Sequence, residues 1–304
     1  MKIRKNLIIP FAAIVILGLY LAFNTTGKMN YKIPEFNYIE SKTIDKIEIT
    51  GEKGKLNLYS ENGVWKFDPD NYRADPSKMT KVLSFLENPQ FIDMVSNSKN
   101  YQNYGLQEGK FIHIKARIVG NSSTHPNREL LIGDQNQNGN FAFIRTPDNT
   151  AVFTVQANIR TLFDVNQNDL LDKQIFHMDT SKIDKIDLIS DDQKTTINKT
   201  VDSDNKDIWK SENGLDLDTT TIDQSLRYLG NSRFESYSLE RSVNNDKNLF
   251  MVNLYEEGII HSLSILKKNE KNYSALSSFT VEEFILSENT GTQIMKMFGD
   301  TLKL

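Results

Sequence analysis

The sequence contains no cysteine and only four histidines in 304 residues. The absence of cysteine excludes disulfides, thiolate zinc sites, iron–sulfur clusters and a cysteine nucleophile. The histidines lie far apart and outside the spacing of a metal-binding motif such as HExxH. The sequence therefore predicts no cofactor, no metal site and no catalytic residue.

The sequence also lacks an excess of positive charge. The chain has 36 basic and 40 acidic residues, which gives a formal net charge of −4. Lys2, Arg4 and Lys5 precede every acidic residue, so the chain after them holds 33 basic and 40 acidic residues and a net charge of −7. Phosphate binding needs clustered Lys and Arg, so this balance excludes nucleic acid as a partner.

One segment, residues 7–23, has no charge at all and reads LIIPFAAIVILGLYLAF. As a helix with a rise of about 1.5 Å per residue it would be about 25 Å long, close to the thickness of the hydrocarbon core of a membrane. A basic cluster in front of such a helix keeps the N-terminus in the cytoplasm. We therefore predict that membrane lipid surrounds residues 7–23 and that the rest of the chain is exported.

The same segment could be a signal peptide that is cleaved. Cleavage needs small residues just before the cut, where Phe23 and Asn24 stand, and Thr25 with Gly27 forms only a weak site. The sequence favours an uncleaved signal anchor. The predicted location is the cytoplasmic (inner) membrane, crossed once, with the body facing the periplasm or the exterior.

The exported part of the sequence repeats itself. TIDKIEI at residues 43–49 returns as KIDKIDL at 182–188, and the only two tryptophans, Trp65 and Trp209, occupy matching places in VWK and IWK. Further matches keep the same order, with an offset that drifts as small loop insertions would make it drift. A period of about 140 residues is too long for a solenoid repeat and is typical of two tandem domains.

Each copy has the pattern of an α+β module. Alternating apolar residues predict strands, one of them at Phe91–Val95. Asn62-Gly63 predicts a hairpin turn, Asp75-Pro76 predicts the start of a helix, and a closing helix is expected at about Val155 to Phe163. We predict an N-terminal transmembrane helix followed by two tandem, internally repeated modules of mostly antiparallel sheet with two helices each.

The repeat also sets the predicted domain boundaries. They are 1–27 for the cytoplasmic start and anchor, 28–42 for a linker, 43–168 for the first module, 169–181 for a second linker and 182–304 for the second module. Binding sites commonly form where domains meet, so we expect the groove near the second linker to bind a partner.

One loop has part of the pattern of a metal site. Asp134, Asn136, Asn138 and Gly139 match positions 1, 3, 5 and 6 of a calcium-binding loop. The bidentate Glu required at position 12 is replaced by Arg145. An Asn-Gly hairpin between two strands explains the same residues and is the favoured interpretation, with weak calcium binding left open.

Several motifs of the first copy occur together. They are VWKF at 64–67, YRADPSKMTKVLSFL at 72–86, NYGL at 103–106, LLIGD at 130–134 and NGNFAFIR at 138–145. On these motifs, residues 43–190 resemble the bacterial family called domain of unknown function 4340. The chain departs from the family pattern in two ways: QEG replaces an acidic residue and proline after NYGL, and the second copy lacks the NYGL and IGD motifs.

The resemblance implies a structural role for its motif residues, which are Trp65, Tyr104, Gly105, Leu106, Gly133, Asp134 and Gly139. A Tyr-Gly-Leu turn places an aromatic and an aliphatic anchor on either side of a flexible bend. None of these residue types in this order is a catalytic constellation, so we expect them to support the architecture.

The family has no established activity. The resemblance implies an exported, membrane-tethered component of the kind encoded near gliding-type ABC transporters. We therefore predict a noncatalytic, membrane-anchored envelope protein that binds a membrane or envelope protein partner, as an auxiliary component of an ABC-transporter-like complex. The alternative is an extracytoplasmic hydrolase that acts on cell-envelope glycan or peptide through scattered carboxylates.

Overall fold

The computed structural model of the protein describes residues 14–17, 19–20, 32–121, 123–190, 193–238, 248–268, 271–280 and 282–300. The strands of the first sheet are β1 (Ile44–Gly51), β2 (Gly54–Glu61), β3 (Val64–Phe67), β4 (Met94–Ser96), β5 (Ile112–Ile118), β6 (Arg128–Gln135), β7 (Phe141–Arg145) and β8 (Val152–Gln156). Helix α1 (Pro76–Glu87) lies between β3 and β4 in the chain, and α2 (Asn158–Phe163) follows β8. The strand order in the sheet is β3-β2-β1-β5-β6-β7-β8-β4.

The second sheet follows in the chain. Its strands are β9 (Ile183–Ser190), β10 (Gln193–Val201), β11 (Asp207–Ser211), β12 (Asp216–Leu217), β13 (Ser236–Tyr237), β14 (Phe250–Glu256), β15 (Ile259–Lys268), β16 (Asn272–Ser277) and β17 (Phe284–Ser287). Helix α3 (Gln167–Leu170) precedes this sheet, α4 (Thr219–Asn231) follows β12, and α5 (Glu288–Asp300) follows β17.

The two sheets have the same strand order. The second runs β12-β11-β10-β9-β14-β15-β16-β17-β13, which matches the first strand for strand once the additional edge strand β12 is set aside. Strand pairs are antiparallel in both sheets. The predicted α+β class, with mostly antiparallel sheet, is therefore confirmed.

The repeated sequence IDKI has a structural reason. Ile44 and Ile47 of β1 are both buried, although strict alternation along a strand would place residues three apart on opposite faces. A shift of register at Asp45 between β1 and β5, as in a β-bulge, brings both side chains to one face. Ile183 and Ile186 of β9 are buried in the same way, with a matching register shift against β14. The repeat thus encodes an irregular strand as well as an apolar one.

Helix α1 begins where the sequence predicts. Oδ1 of Asp75 accepts hydrogen bonds from the backbone N–H groups of Ser77 (2.9 Å) and Lys78 (3.3 Å), and Pro76 takes the first helical position. One face of the helix packs into the core, and its buried side chains are Met79, Val82 and Leu86.

Two predicted element boundaries are wrong. The closing helix of the first copy begins at Asn158 rather than near Val155, because Val155 is buried and pairs with Ala142 as part of β8. The strand expected at Phe91–Val95 is the shorter β4, since the backbone ahead of β4 bonds to β8 only through Thr154. In both cases the pairing of β8 with a neighbouring strand, which a single sequence does not show, decides where the element begins.

The described residues divide into two compact units. The first contains those up to Asn57 together with Thr80–Val165, and the second contains Leu58–Met79 together with those from Asn166 onward. In the second unit the stretch 169–181, predicted as a linker, contains several buried residues, namely Leu170, Leu171, Asp172, Ile175 and Phe176. Its backbone bonds to Asp75 on one side and to Ser232 and Phe234 on the other.

The predicted anchor falls mostly outside the described residues. Within it, residues 14–17 and 19–20 are helical, and their described apolar side chains are exposed. Of the helices that the described residues form, none combines the length and the apolar character needed to cross a membrane.

Candidate functional site

The NYGL motif forms a tight turn. Residues Tyr101–Tyr104 make one turn of 3-10 helix, which ends at Gly105 with a positive φ of 63°. The backbone N–H of Leu106 then donates to the carbonyl of Tyr101 at 3.0 Å. A side chain is disfavoured in this left-handed conformation, which explains the glycine.

The turn lies directly against the IGD motif of β6. A Cβ atom added to Gly105 would overlap the carboxylate of Asp134. A Cβ atom added to Gly133 would overlap the backbone carbonyl of Tyr104 and would lie 2.8 Å from Cγ of Leu106. The two motifs, about thirty residues apart in sequence, therefore meet through their glycines, and each glycine leaves room for the other motif.

Apolar side chains complete this contact. Leu106 is buried and clusters with Leu131 of β6 and Val152 of β8. The aromatic residues packed against the cluster are Tyr101, Tyr104, Phe111 and Phe143. The rings of Tyr104 and Phe143 pack edge to face at a centroid distance of 4.9 Å, a favourable aromatic geometry. The turn thus covers the sheet at β6 to β8.

Arg160 of α2 joins the same cluster. Its Nη1 donates to the carbonyl of Gly133, and its Nη2 lies 3.7 Å from Oδ1 of Asp134. The Asp134 side chain is 61% exposed, so water screens the ion pair and its contribution to stability is small. We call the contact between residues 101–106, Gly133, Asp134 and Arg160 the motif contact.

The other two motif residues lie elsewhere. Trp65 is buried in β3. Gly139 is in the turn between β6 and β7, with a φ of 68° and open space around its Cα. Oδ1 of Asn136 accepts hydrogen bonds from the backbone N–H groups of Asn140 (2.9 Å) and Phe141 (3.0 Å). The predicted hairpin is therefore confirmed. Oδ1 of Asn136, which would be a calcium ligand in the other interpretation, is already bonded to the backbone of the turn.

A second cluster, which the sequence did not predict, lies in the second unit. Oδ2 of Asp172 is 2.7 Å from Nε2 of His177, and Oδ1 accepts from the backbone N–H of Gln174 at 3.2 Å. The Asp172 side chain is 2% exposed and that of His177 is 34% exposed. The imidazole ring lies 4.5 Å from the ring of Phe279, and the guanidinium of Arg73 lies at the same distance from that ring.

Two tyrosines extend this cluster. The rings of Tyr72 and Tyr237 stack at 4.0 Å, and the hydroxyl of Tyr72 donates to Oε2 of Glu282 at 2.6 Å. Burial raises the pKa of Tyr237 to about 12, and the carboxylates of Asp172 and Glu282 act in the same direction. Burial and then the bond to Glu282 raise the pKa of Tyr72 as well. Both phenols therefore stay protonated near neutral pH and can donate hydrogen bonds.

The members of this second cluster come from four separate segments of the chain. Tyr72 and Arg73 precede α1, Asp172 and His177 follow α3, Tyr237 is in β13, and the remaining residues lie between β16 and β17. No spacing in the sequence links these segments. The described residues contain no group of three or more His, Asp or Glu side chains that could hold a metal ion.

Comparison with known proteins places the chain in a family. A family model matches residues 65–250, more than half of the chain, and this range includes all seven motif residues. No curated protein and no solved structure matches the chain. The chain therefore belongs to the family described as Domain of unknown function (DUF4340), which its motifs predicted.

Proposed function

We propose that the protein is a noncatalytic envelope protein held in the cytoplasmic membrane by residues 7–23, with its body facing the periplasm or the exterior. In this proposal the body binds a membrane or envelope protein and serves as an auxiliary component of an ABC-transporter-like complex. A tether of this kind raises the effective concentration of the body near other membrane proteins.

The observation that carries this proposal is the motif contact. The motif residues of the first copy are occupied in packing two backbone segments together: the glycines allow close approach, and Leu106 and Tyr104 fill the apolar cluster. Among the motif residues only Asp134 has a carboxylate, and its partner in the motif contact is Arg160. Residues that serve chiefly to pack two backbone segments fit a binding role better than a catalytic one.

Co-purification tests the proposal. The full-length protein, tagged at its C-terminus, is extracted in mild detergent and its partners are identified by mass spectrometry. We expect a permease or another envelope protein in stoichiometric amounts. The matched control replaces residues 1–27 by an unrelated single-pass anchor, which should keep the partner because the body makes the contact. Recovery of the protein alone, in both forms, would count against the proposal.

A second candidate function, an extracytoplasmic hydrolase, is favoured by the pair of Asp172 and His177. A buried carboxylate that orients a partly exposed imidazole is the arrangement of many general bases. Such an enzyme would activate water at His177, and the protonated hydroxyl of Tyr237 could donate to a leaving group. Turnover of envelope glycan or peptide by the purified protein, lost in His177→Gln, would establish this function in place of the first.

A further inference from the structure

The first unit carries a groove that the motif contact does not explain. It is lined by residues 80–92 and 156–162, which belong to α1, α2 and the chain next to them. We call it the helix groove. Its volume is about 940 Å³, at the upper end of the range of roughly 300–1,000 Å³ that is typical of small-molecule sites.

The lining of the helix groove is mostly apolar surface, and the polar side chains in it are almost all uncharged. Four exposed amide side chains line it, those of Asn88, Gln90, Gln156 and Asn158, together with three hydroxyl side chains. Among the described residues that line the groove, Lys81 is the only one with an ionisable side chain.

A half-buried aromatic ring lies beside the amides. The ring centroids of Phe85 and Phe163 are 5.6 Å apart. Phe163 is buried, so it packs against Phe85 from the core side. Ile159 and Leu162 are also half-buried in the lining. A fixed apolar ring next to amide groups suits a sugar, whose C–H face packs on the ring while its hydroxyls bond to the amides.

We propose that the helix groove binds an uncharged oligosaccharide. Amide side chains both donate and accept hydrogen bonds, as the hydroxyls of a neutral sugar chain do. A polyanion would meet a single lysine and a polycation would meet no acid, so their charge would stay uncompensated. A lipid tail would contact only the apolar part of the lining and would leave its seven uncharged polar side chains unused, whereas a sugar contacts both. An extended peptide pairs with an exposed strand edge, which helices do not offer.

This inference rests on the groove and is independent of the association with a transporter. An exported body would meet neutral glycans in the cell envelope, so the two proposals are compatible. Glycan binding without a protein partner, or a partner without glycan binding, would separate them.

Calorimetric titration of the full-length protein tests the inference. The detergent must lack a sugar headgroup, because maltoside and glucoside headgroups are themselves uncharged sugars. The probes are the neutral tetramers chitotetraose, cellotetraose and maltotetraose, with tetragalacturonate as the charged comparison. We expect at least one neutral tetramer to bind at a single site and tetragalacturonate to bind more weakly. Failure of all three neutral tetramers, or tighter binding of tetragalacturonate, would overturn the inference.

Variants locate the binding. Asn88→Ala combined with Gln156→Ala should weaken it by about tenfold or more through lost hydrogen bonds. Ser84→Trp, at an exposed position of α1, should fill the groove and abolish binding. Gln193→Ala removes an exposed amide from β10 and should leave binding unchanged. Wild-type affinity in the double variant would overturn the inference even if Ser84→Trp did not fold.

Discussion

The motif contact predicts that Gly133→Ala is the most destabilising of the glycine-to-alanine changes in the motifs. The new methyl group would overlap the carbonyl oxygen of Tyr104 and press on Leu106. That carbonyl belongs to a turn closed by the bond from Leu106 to Tyr101, so it cannot rotate away as a side chain can. Overpacking costs typically about 1–3 kcal/mol, and we expect the upper end here because backbone must move.

Two further glycines serve as a matched pair. Gly105 and Gly139 have almost the same positive φ, 63° and 68°. Replacing either by alanine should therefore cost the same amount of stability, about 1–2 kcal/mol, for the left-handed backbone conformation. Space around Gly139 is open, whereas at Gly105 the methyl group meets the carboxylate of Asp134. Because the Asp134 side chain is largely exposed and can turn away, it should add little to the left-handed penalty at Gly105, and the total should stay below the roughly 3 kcal/mol expected at Gly133.

Urea denaturation of the full-length variants, followed by far-UV circular dichroism, measures these differences. The expected order of lost stability is Gly133→Ala, then Gly105→Ala, then Gly139→Ala. Adding Asp134→Ala to Gly105→Ala should restore part of the loss, because it removes the overlapping carboxylate. Equal stability of Gly133→Ala and Gly139→Ala, or no gain from Asp134→Ala, would show that the close approach at these glycines does not limit stability.

Three other predictions concern the cores, the pH dependence and the topology. Trp65→Ala and Trp209→Ala should each lower the free energy of unfolding by about 3–5 kcal/mol, since both rings are buried; a loss below about 1 kcal/mol would show that the ring does not belong to a core. Burial alone would raise the pKa of Asp187, but hydrogen bonds, the first of them from Tyr255, outweigh burial and lower it. The ionised Asp187 therefore stabilises the fold above its usual pKa, and this contribution is lost as the pH falls through the lowered value. As the pH is lowered, Asp187→Asn should lose less stability than the wild type; parallel curves of unfolding free energy against pH would contradict this. Protease added to intact spheroplasts should remove a C-terminal tag and spare the N-terminus, while a protected tag would reverse the predicted orientation.

The class of the fold could be predicted because it depends on local patterns. The repeated IDKI and the paired tryptophans reveal two similar copies, and Asp75 with Pro76 marks the start of α1. The order of strands in each sheet depends on pairings between distant residues, which a single sequence does not contain. The misplaced start of α2 has the same origin, because the pairing of Val155 with β7 extends β8.

For the candidate sites, too, the local motifs could be predicted and the contacts between distant segments could not. The glycines of NYGL and IGD were visible in the sequence, but which backbone approaches each of them was not. The pair of Asp172 and His177 was missed because its surroundings come from four segments with no common spacing. Burial of Asp172, the property that distinguishes this pair from a surface ion pair, exists only once those segments have packed.

The molar ratio of membrane partner to protein after purification in detergent distinguishes a binding protein from a hydrolase. It is measured for the wild type and for a variant with Asp172→Asn and His177→Gln, whose folding is checked by thermal unfolding. We expect the same ratio, near one partner per protein, for both forms and no turnover of envelope glycan or peptide by either. A wild type that purifies alone and turns over such a substrate, with turnover lost in the variant, would show that the protein is a hydrolase and not a binding component.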